Sequence, residues 1–326
     1  MTYAIIATLG PSTDTAAAWQ ALLTAGATAF RLNTSHLSLP QLHAWLDTLT
    51  PFLAALDPRP PLVLDLQGSK WRLGHFAAFD LVPGHSVELV YAPTTDRPGV
   101  LPVPHLDFFQ AAPTASGDLV LNDAKIRLNV RSIAPHAITA TVIQGGLISA
   151  RKGLTYAASN YRHEALNAQD QAIVDQTRHL AGVRYAISYV KDAAEMAHYR
   201  SLIGDPAYLI AKLERPPALA EAHHIAAIAD ELWVCRGDLG AELGLAAMAA
   251  AVHRLSDQVA DLPVPAIMAG QVLEHMTEQP TPTRSEVCYL HDTLARGYRG
   301  FVLSDEVAIG RYPIESCRVA ALFKTQ

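Results

Sequence analysis

Eight times along the 326-residue chain, a short run rich in Val, Ile, Leu and Phe gives way to a longer Ala- and Leu-rich stretch with amphipathic spacing. The short runs are AIIATLG (4–10), TAFRLNTS (28–35), PLVLDLQ (61–67), YAISYV (185–190), AYLIAKLE (207–214), ELWVCRG (231–237), VPAIMAG (264–270) and GFVLSDE (300–306). The longer stretches follow near 13–25, 39–53, 164–181, 192–203, 216–229, 244–260, 283–297 and 313–324. Such alternation marks βα units and a parallel sheet. Eight units predict an α/β fold of the TIM (β/α)8 barrel type, although pattern alone leaves a doubly wound open sheet open as well. Between the third strand and its helix the texture changes. HSVELVYA (85–92), DLVLNDAKIRLNV (118–130) and HAITATVIQGG (136–146) read as meandering β-structure with Gly, Pro and Asp turns. Residues 71–155 are therefore expected to form an inserted, β-barrel-like lid domain, with 1–70 and 156–326 making the barrel.

At 50% hydrophobic and 17% charged, the chain can bury a large core. Its formal net charge of −6 provides no overall basic field for nucleic acid or an anionic membrane, so neither partner is expected. No apolar run reaches the roughly 18 residues of a membrane span. Cys235, Cys288 and Cys317 are far apart and odd in number, which suggests neither a disulfide framework nor a zinc site. A soluble protein of the cytoplasm is expected.

In a TIM barrel the chemistry gathers at the C-terminal ends of the strands. The polar residues there are Arg31, Asn33 and Ser35; Asp65; Lys212 and Glu214; Arg236 and Asp238; Ser304 and Glu306. In LIAKLERPP (209–217), Lys212 and Glu214 share one face of a strand that Pro216 and Pro217 then stop. An isolated pair of this kind is ordinary, but charges converging from several strand ends are costly to bury without a ligand or metal. Glu214 and Asp238 could give two oxygen ligands to one Mg²⁺, leaving positions for water and substrate. An ammonium beside such a cation is useful when negative charge arrives, as on a transferring phosphoryl group or an enolate. Of the other candidates, His223 and His224 read as solvated, Tyr189 and Trp233 as strand core, and Cys235 as a buried structural thiol.

ATLGPST, FRLNTSH, LDLQGSKWR, ARKG, IAKLER, CRGDLGAELG, PTPTRSE and LSDEVAIGRYPIES resemble, in order and spacing, the pyruvate kinase family. The resemblance implies phosphoryl transfer between phosphoenolpyruvate and ADP/ATP, with Mg²⁺ or Mn²⁺. By position it implies that Glu214 and Asp238 bind the metal, and that Lys212 stabilises the phosphoryl group in flight and the enolate left behind. Arg31 and Arg72 match arginines at the phosphate and nucleotide end; Asn33 and His36 match nucleotide-side positions. Gly237, beside Asp238, matches the site of the substrate carboxylate. Asp123 and Lys152 match lid residues that reach the nucleotide on closure.

Three departures from the family pattern carry information. Leu66 and Lys70 stand where K⁺-dependent members have threonine and glutamate, which resembles the subset that works without K⁺. An ammonium near Asn33, Ser35 and Asp65 would supply the missing charge and repel the ion, so K⁺ independence is expected. Gly270 stands for a threonine near the carbon that exchanges a proton, while Ser304 and Glu306 of the proposed proton relay are retained. A bulkier 2-oxo acid or enol phosphate, or weakened proton delivery, would follow. Asp305 stands for a small glycine, and Asn122 and Ala124 flank Asp123 where the family has Asp and Gly. Family members continue into a C-terminal α/β domain; with the sequence running to Gln326, control by that domain is expected to be absent, and any homo-oligomer would use barrel surfaces. Two other readings share parts of the pattern. One is a Mg²⁺-enolate aldolase or lyase, opposed by Lys152, Asp123 and Arg72. The other is a catalytically weak phosphoenolpyruvate-binding sensor, opposed by Lys212, Glu214 and Asp238.

Overall fold

The structure is a computed structural model that describes residues 1–112, 117–122, 125–156 and 166–324. It divides into two compact units, one comprising Met1–Gly68, Ala165–Arg236 and Ala251–Gln326, the other Ser69–Glu164 and Gly237–Ala250.

In the first unit, β1 (Ala4–Thr8), β2 (Ala29–Asn33), β3 (Leu62–Leu66), β4 (Val183–Ile187), β5 (Tyr208–Leu213), β6 (Glu231–Cys235), β7 (Ala266–Ala269) and β8 (Gly300–Leu303) close into a barrel. Each strand pairs in parallel with its sequence neighbours, and β8 returns to β1 with Ile6 opposite Val302. Parallel strands covered on both faces need apolar side chains on both, which is why the runs are near-continuous in Val, Ile and Leu. Alternate residues fill the interior: Ile6, Ala29, Val63, Ala186, Ile210, Trp233, Ile267 and Val302 form one buried cluster. Trp233 therefore belongs to the barrel core, and its indole N–H donates to Glu231 at 2.6 Å.

The helices carry legible start signals. Ser38 accepts from Gln41 N, whose side chain bonds back, and Thr283 makes the same reciprocal box with Glu286. Along Leu39–Ala54 the buried residues are Leu42, Leu46, Leu49 and Leu53, a single helical stripe. The amphipathic stretch at 216–229 is two short helices, Pro216–Ala220 and Ala222–Ala226, with His223 and His224 exposed on the second.

The second unit holds a seven-stranded sheet in the order Trp71–Arg72, Gly153–Tyr156, Asp118–Leu121, Ile126–Ala134, Ala137–Gln144, Ser86–Tyr91, Val100–Val103. A separate two-stranded pair joins Phe79–Leu81 to Gly146–Ile148. Its core is aromatic: Phe108 stacks on Tyr156 with centroids 4.6 Å apart, and Trp71 meets both edge-on. The stretch Gly237–Ala250, which the pattern assigned to the barrel, groups with this unit. A short helix, Arg236–Leu243, follows β6 and is broken at Gly244, with φ +75°, before Leu245–Ser256 begins.

Candidate active site

At the C-terminal ends of β1, β2, β3 and β5, inward-pointing positions change from apolar to polar or charged. Thr8, Arg31, Asp65 and Lys212 continue the interior rows begun by Ile6, Ala29, Val63 and Ile210. The four meet in one network. Arg31 donates from Nε to Asp65 Oδ2 at 2.7 Å and from Nη1 to Thr8 Oγ1 at 2.9 Å. Lys212 Nζ lies 3.1 Å from Asp65 Oδ1, 3.0 Å from Glu214 Oε1 and 2.9 Å from Ser188 Oγ. Ser188 is held by donating to Leu66 O at 2.7 Å, and the Thr34 hydroxyl donates to Asp65 O at the same distance.

Asp65 and Glu214 are 1% and 2% exposed, so water cannot neutralise them, and the lattice of cations must. Burial pushes Asp65 up, but Lys212 and Arg31 together outweigh it and hold the carboxyl below the ordinary range. Burial likewise pushes Lys212 down, and Asp65 and Glu214 outweigh it, so its pKa is raised and the ammonium is a fixed cation at neutral pH. Two acids face two bases, and the network carries no net charge.

Lys212 and Glu214 thus touch, as their shared strand face predicts. Glu214 lies one residue past the end of β5. Its other oxygen, Oε2, accepts from Tyr189 N at 2.8 Å. Tyr189, read as strand core, is buried but lies beyond the end of β4 with φ +64°, a left-handed conformation costly for a residue with a side chain. The chain turns there because Glu214 draws the amide inward, and the ring lies beneath Arg215, whose guanidinium carbon is 5.0 Å from its centroid.

Sequence reasoning missed Ser188, Thr8 and Thr34. Thr8 was findable as the lone polar residue on the inward face of an otherwise apolar strand. A second supporting contact also escaped it: Asp170, at the start of helix Ala168–Thr177, accepts from Gln67 N and Gly68 N at 3.0 and 2.9 Å. Gly68, with φ +63°, passes so close to β4 that an added Cβ would lie 2.1 Å from Ser188 O.

Glu306 lies on the short helix Asp305–Ala308 after β8 and is fully buried. Its Oε1 accepts from Leu273 N at 3.2 Å and its Oε2 from Ser304 N at 2.8 Å. Burial pushes its pKa up to about 7 despite these bonds. Ser304 is half-buried and Asp305 exposed. Gly270 and Gln271 follow β7 with φ +82° and +54°, and Arg236 fixes this turn by donating to Gly270 O at 2.6 and 3.0 Å and to Gln271 O at 2.9 Å. The Arg236 guanidinium carbon in turn sits 4.5 Å from the Tyr289 ring centroid. Asn33 is half-buried and accepts from Ser35 N at 3.3 Å; Ser35 is buried and His36 exposed. Cys235 is buried in the barrel interior.

Within the second unit, Lys70 makes an ion pair with Asp238, and both are mostly buried. Arg72 donates to Arg151 O at 3.2 Å, and Lys152 is half-buried. Gly237 is open: an added Cβ would meet nothing within 4 Å. Asp123 lies outside the described residues. Among the described residues no group of three or more His, Cys, Asp or Glu could hold a metal ion. The carboxylate oxygens of Glu214 and Asp238 do suit a hard cation such as Mg²⁺, which is usually held by one or two carboxylates with substrate and water completing its shell.

Comparison with known proteins agrees with this architecture. The model of the family "Pyruvate kinase, barrel domain" matches residues 2–317. A pyruvate kinase of Agrobacterium vitis is 32% identical over 319 residues, covering 97% of this chain and 67% of the relative. One from Methylorubrum extorquens is 31% identical over 314 residues, covering 96% and 66%. The chain thus spans about two thirds of the length of the curated relatives it matches. Among solved structures, a pyruvate kinase from Cryptosporidium parvum superposes with a TM-score of 0.84 at 22% identity, covering 98% of this chain and 68% of that one, a likeness of fold. With the family model matched over nearly its whole length, the chain belongs to the pyruvate kinase family of phosphotransferases.

Proposed function

We propose that the chain transfers a phosphoryl group between phosphoenolpyruvate, or a related enol phosphate, and ADP, with Mg²⁺ and without K⁺. The observation that carries this reading is the buried Arg31–Asp65–Lys212–Glu214 network, in which a lysine is kept charged inside a barrel and fixed by three partners. Such a cation costs no reorganisation when charge builds on a transferring group. Lys212 Nζ stabilises the phosphoryl oxygens and then the enolate. Arg31, oriented by Asp65 and Thr8, presents a guanidinium face to the phosphate. Bound Mg²⁺ supplies charge neutralisation at the phosphoryl group and polarises the enolate oxygen. Glu214 and, in the second unit, Asp238 are the oxygen donors for it.

Glu306, with a pKa near neutral, holds or releases a proton at its carboxyl oxygens where physiological pH is most effective. With Gly270 in place of a hydroxyl-bearing residue, Ser304 and Glu306 are the proton-handling groups for the enolate carbon. Buried Leu66 and Lys70 support K⁺ independence, since an internal ammonium is already present and no side-chain oxygen is offered at position 66. On the nucleotide side, Asn33, His36, Arg72, Asp123 and Lys152 are the proposed contacts, and Gly237 receives the substrate carboxylate through its open backbone.

The test is ADP-dependent turnover of phosphoenolpyruvate with Mg²⁺, followed as ATP, in K⁺-free buffer and in KCl, the two brought to one ionic strength with tetramethylammonium chloride. Equal, robust rates are expected. No ATP in either buffer would overturn the reading, and a rate that appears only with KCl would overturn the K⁺ part.

A further inference from the structure

Lys70 lies just before the strand Trp71–Arg72, and its side chain is 8% exposed. Its ammonium is held on the carboxylate of Asp238, in the first turn of helix Arg236–Leu243. That is an unfavourable place for a cation, because a helix N-terminus carries partial positive charge. The carboxylate is what makes it tenable. The route to it is also built. A Cβ at Gly153 would lie 2.3 Å from Lys70 Cε and 2.7 Å from Nζ, so the lysine stem crosses the strand Gly153–Tyr156 only because position 153 has no side chain. Gly153 is not in the left-handed region, so its role is the space it leaves.

We infer that Lys70 is a positioning residue that stands in for the divalent cation on Asp238 and must leave the carboxylate before the cation binds. This deepens the proposed phosphotransfer reading and rests on its assignment of Asp238. A divalent cation and an ammonium on one partly buried carboxylate repel each other strongly, so the two occupancies alternate. When the metal takes Asp238, the released ammonium becomes a positive group for an anionic substrate. Metal and substrate therefore favour each other's binding through Lys70, and the metal is bound weakly when the substrate is absent.

The experiment is Mn²⁺ binding to the substrate-free full chain, read from the electron paramagnetic resonance signal of free Mn²⁺. Lys70→Met is expected to bind Mn²⁺ at least about tenfold more tightly than the wild type, and Lys70→Arg to restore the weak binding. Adding Asp238→Asn to Lys70→Met is expected to abolish the gain. Gly153→Ala displaces the lysine tip without altering either charge and is expected to tighten Mn²⁺ binding as well; it carries the test if Lys70→Met does not fold. Unchanged or weaker Mn²⁺ binding in these variants, or a gain that survives Asp238→Asn, would overturn the inference. Wild-type turnover of phosphoenolpyruvate is read separately. Turnover with a flat Mn²⁺ series sinks this inference alone, whereas the expected Mn²⁺ series without turnover sinks the phosphotransfer reading and leaves Lys70 on Asp238 as described.

Discussion

Replacing Glu306 with Gln makes the protein's stability depend differently on pH, and the size of the difference follows from the site. The carboxyl is fully buried and its pKa is raised from 4.5 to about 7, chiefly by burial. An acid whose folded pKa exceeds its unfolded one binds its proton more tightly in the folded state. Its contribution is therefore complete below about pH 4.5 and is lost progressively until the pH passes about 7. A shift of this size corresponds to about 3 kcal/mol. Glutamine cannot titrate, so its altered contacts with Ser304 N and Leu273 N add a constant offset and no slope. Urea unfolding of wild type and Glu306→Gln from pH 4.5 to 8 isolates the group. Tryptophan emission suits the purpose, since Trp19, Trp45 and Trp233 all lie in the unit that contains Glu306. The variant is expected to gain about 3 kcal/mol relative to wild type across that range, with most of the change between pH 5 and 7. A difference that stays flat would refute the buried, proton-binding description of Glu306, and with it the proton-handling role.

Lys212→Met should reduce phosphoryl transfer a hundredfold or more, about 3 kcal/mol of transition-state stabilisation; a loss of less than tenfold would show that the ammonium is not central. The same change takes the shared ammonium away from both Asp65 and Glu214, so the protein should lose about 3 to 5 kcal/mol of stability, part of which Asp65→Asn restores in the double variant. Gly68→Ala should drive a Cβ into Ser188 O and cost more than about 2 kcal/mol, with lower turnover as Ser188 shifts from Lys212; an unchanged melting temperature would contradict the close approach. Asp170→Asn removes a charged acceptor from the Gln67 and Gly68 amides and should cost about 1 to 3 kcal/mol, measured by urea unfolding; an unchanged midpoint would contradict that support.

The barrel was legible because each strand had to be apolar on both faces, and that requirement writes continuous runs into the sequence. Strand beginnings matched more closely than ends: GFVLSDE reads as a strand to 306, yet the strand stops at Leu303 and Asp305–Ala308 is helical. Ends diverge because polar side chains there answer to tertiary partners, as Glu306 does to Leu273 N. Tyr189 shows the same thing in the backbone, its left-handed turn being dictated by a carboxylate 25 positions later. Lys212 and Glu214 were legible together because they share one strand, whereas nothing local connects Lys70 with Asp238, 168 positions away. The space at Gly153 that lets them meet has no signature at all until the lysine's path is known.

Pairing Asp65 and Glu214 with buried bases also shapes how substrate arrives. Opposite charges about 3 Å apart cancel at a distance, so the network of Arg31, Asp65, Lys212 and Glu214 projects little potential beyond the barrel mouth. What an approaching multivalent anion meets first is the chain's overall charge of −6, which slows encounter at low ionic strength. Capture is then a short-range event, and salt of any kind should speed it modestly by screening the repulsion. Tetramethylammonium chloride should therefore raise turnover at low substrate as much as KCl does, and the two salts part company only in an enzyme that binds potassium itself.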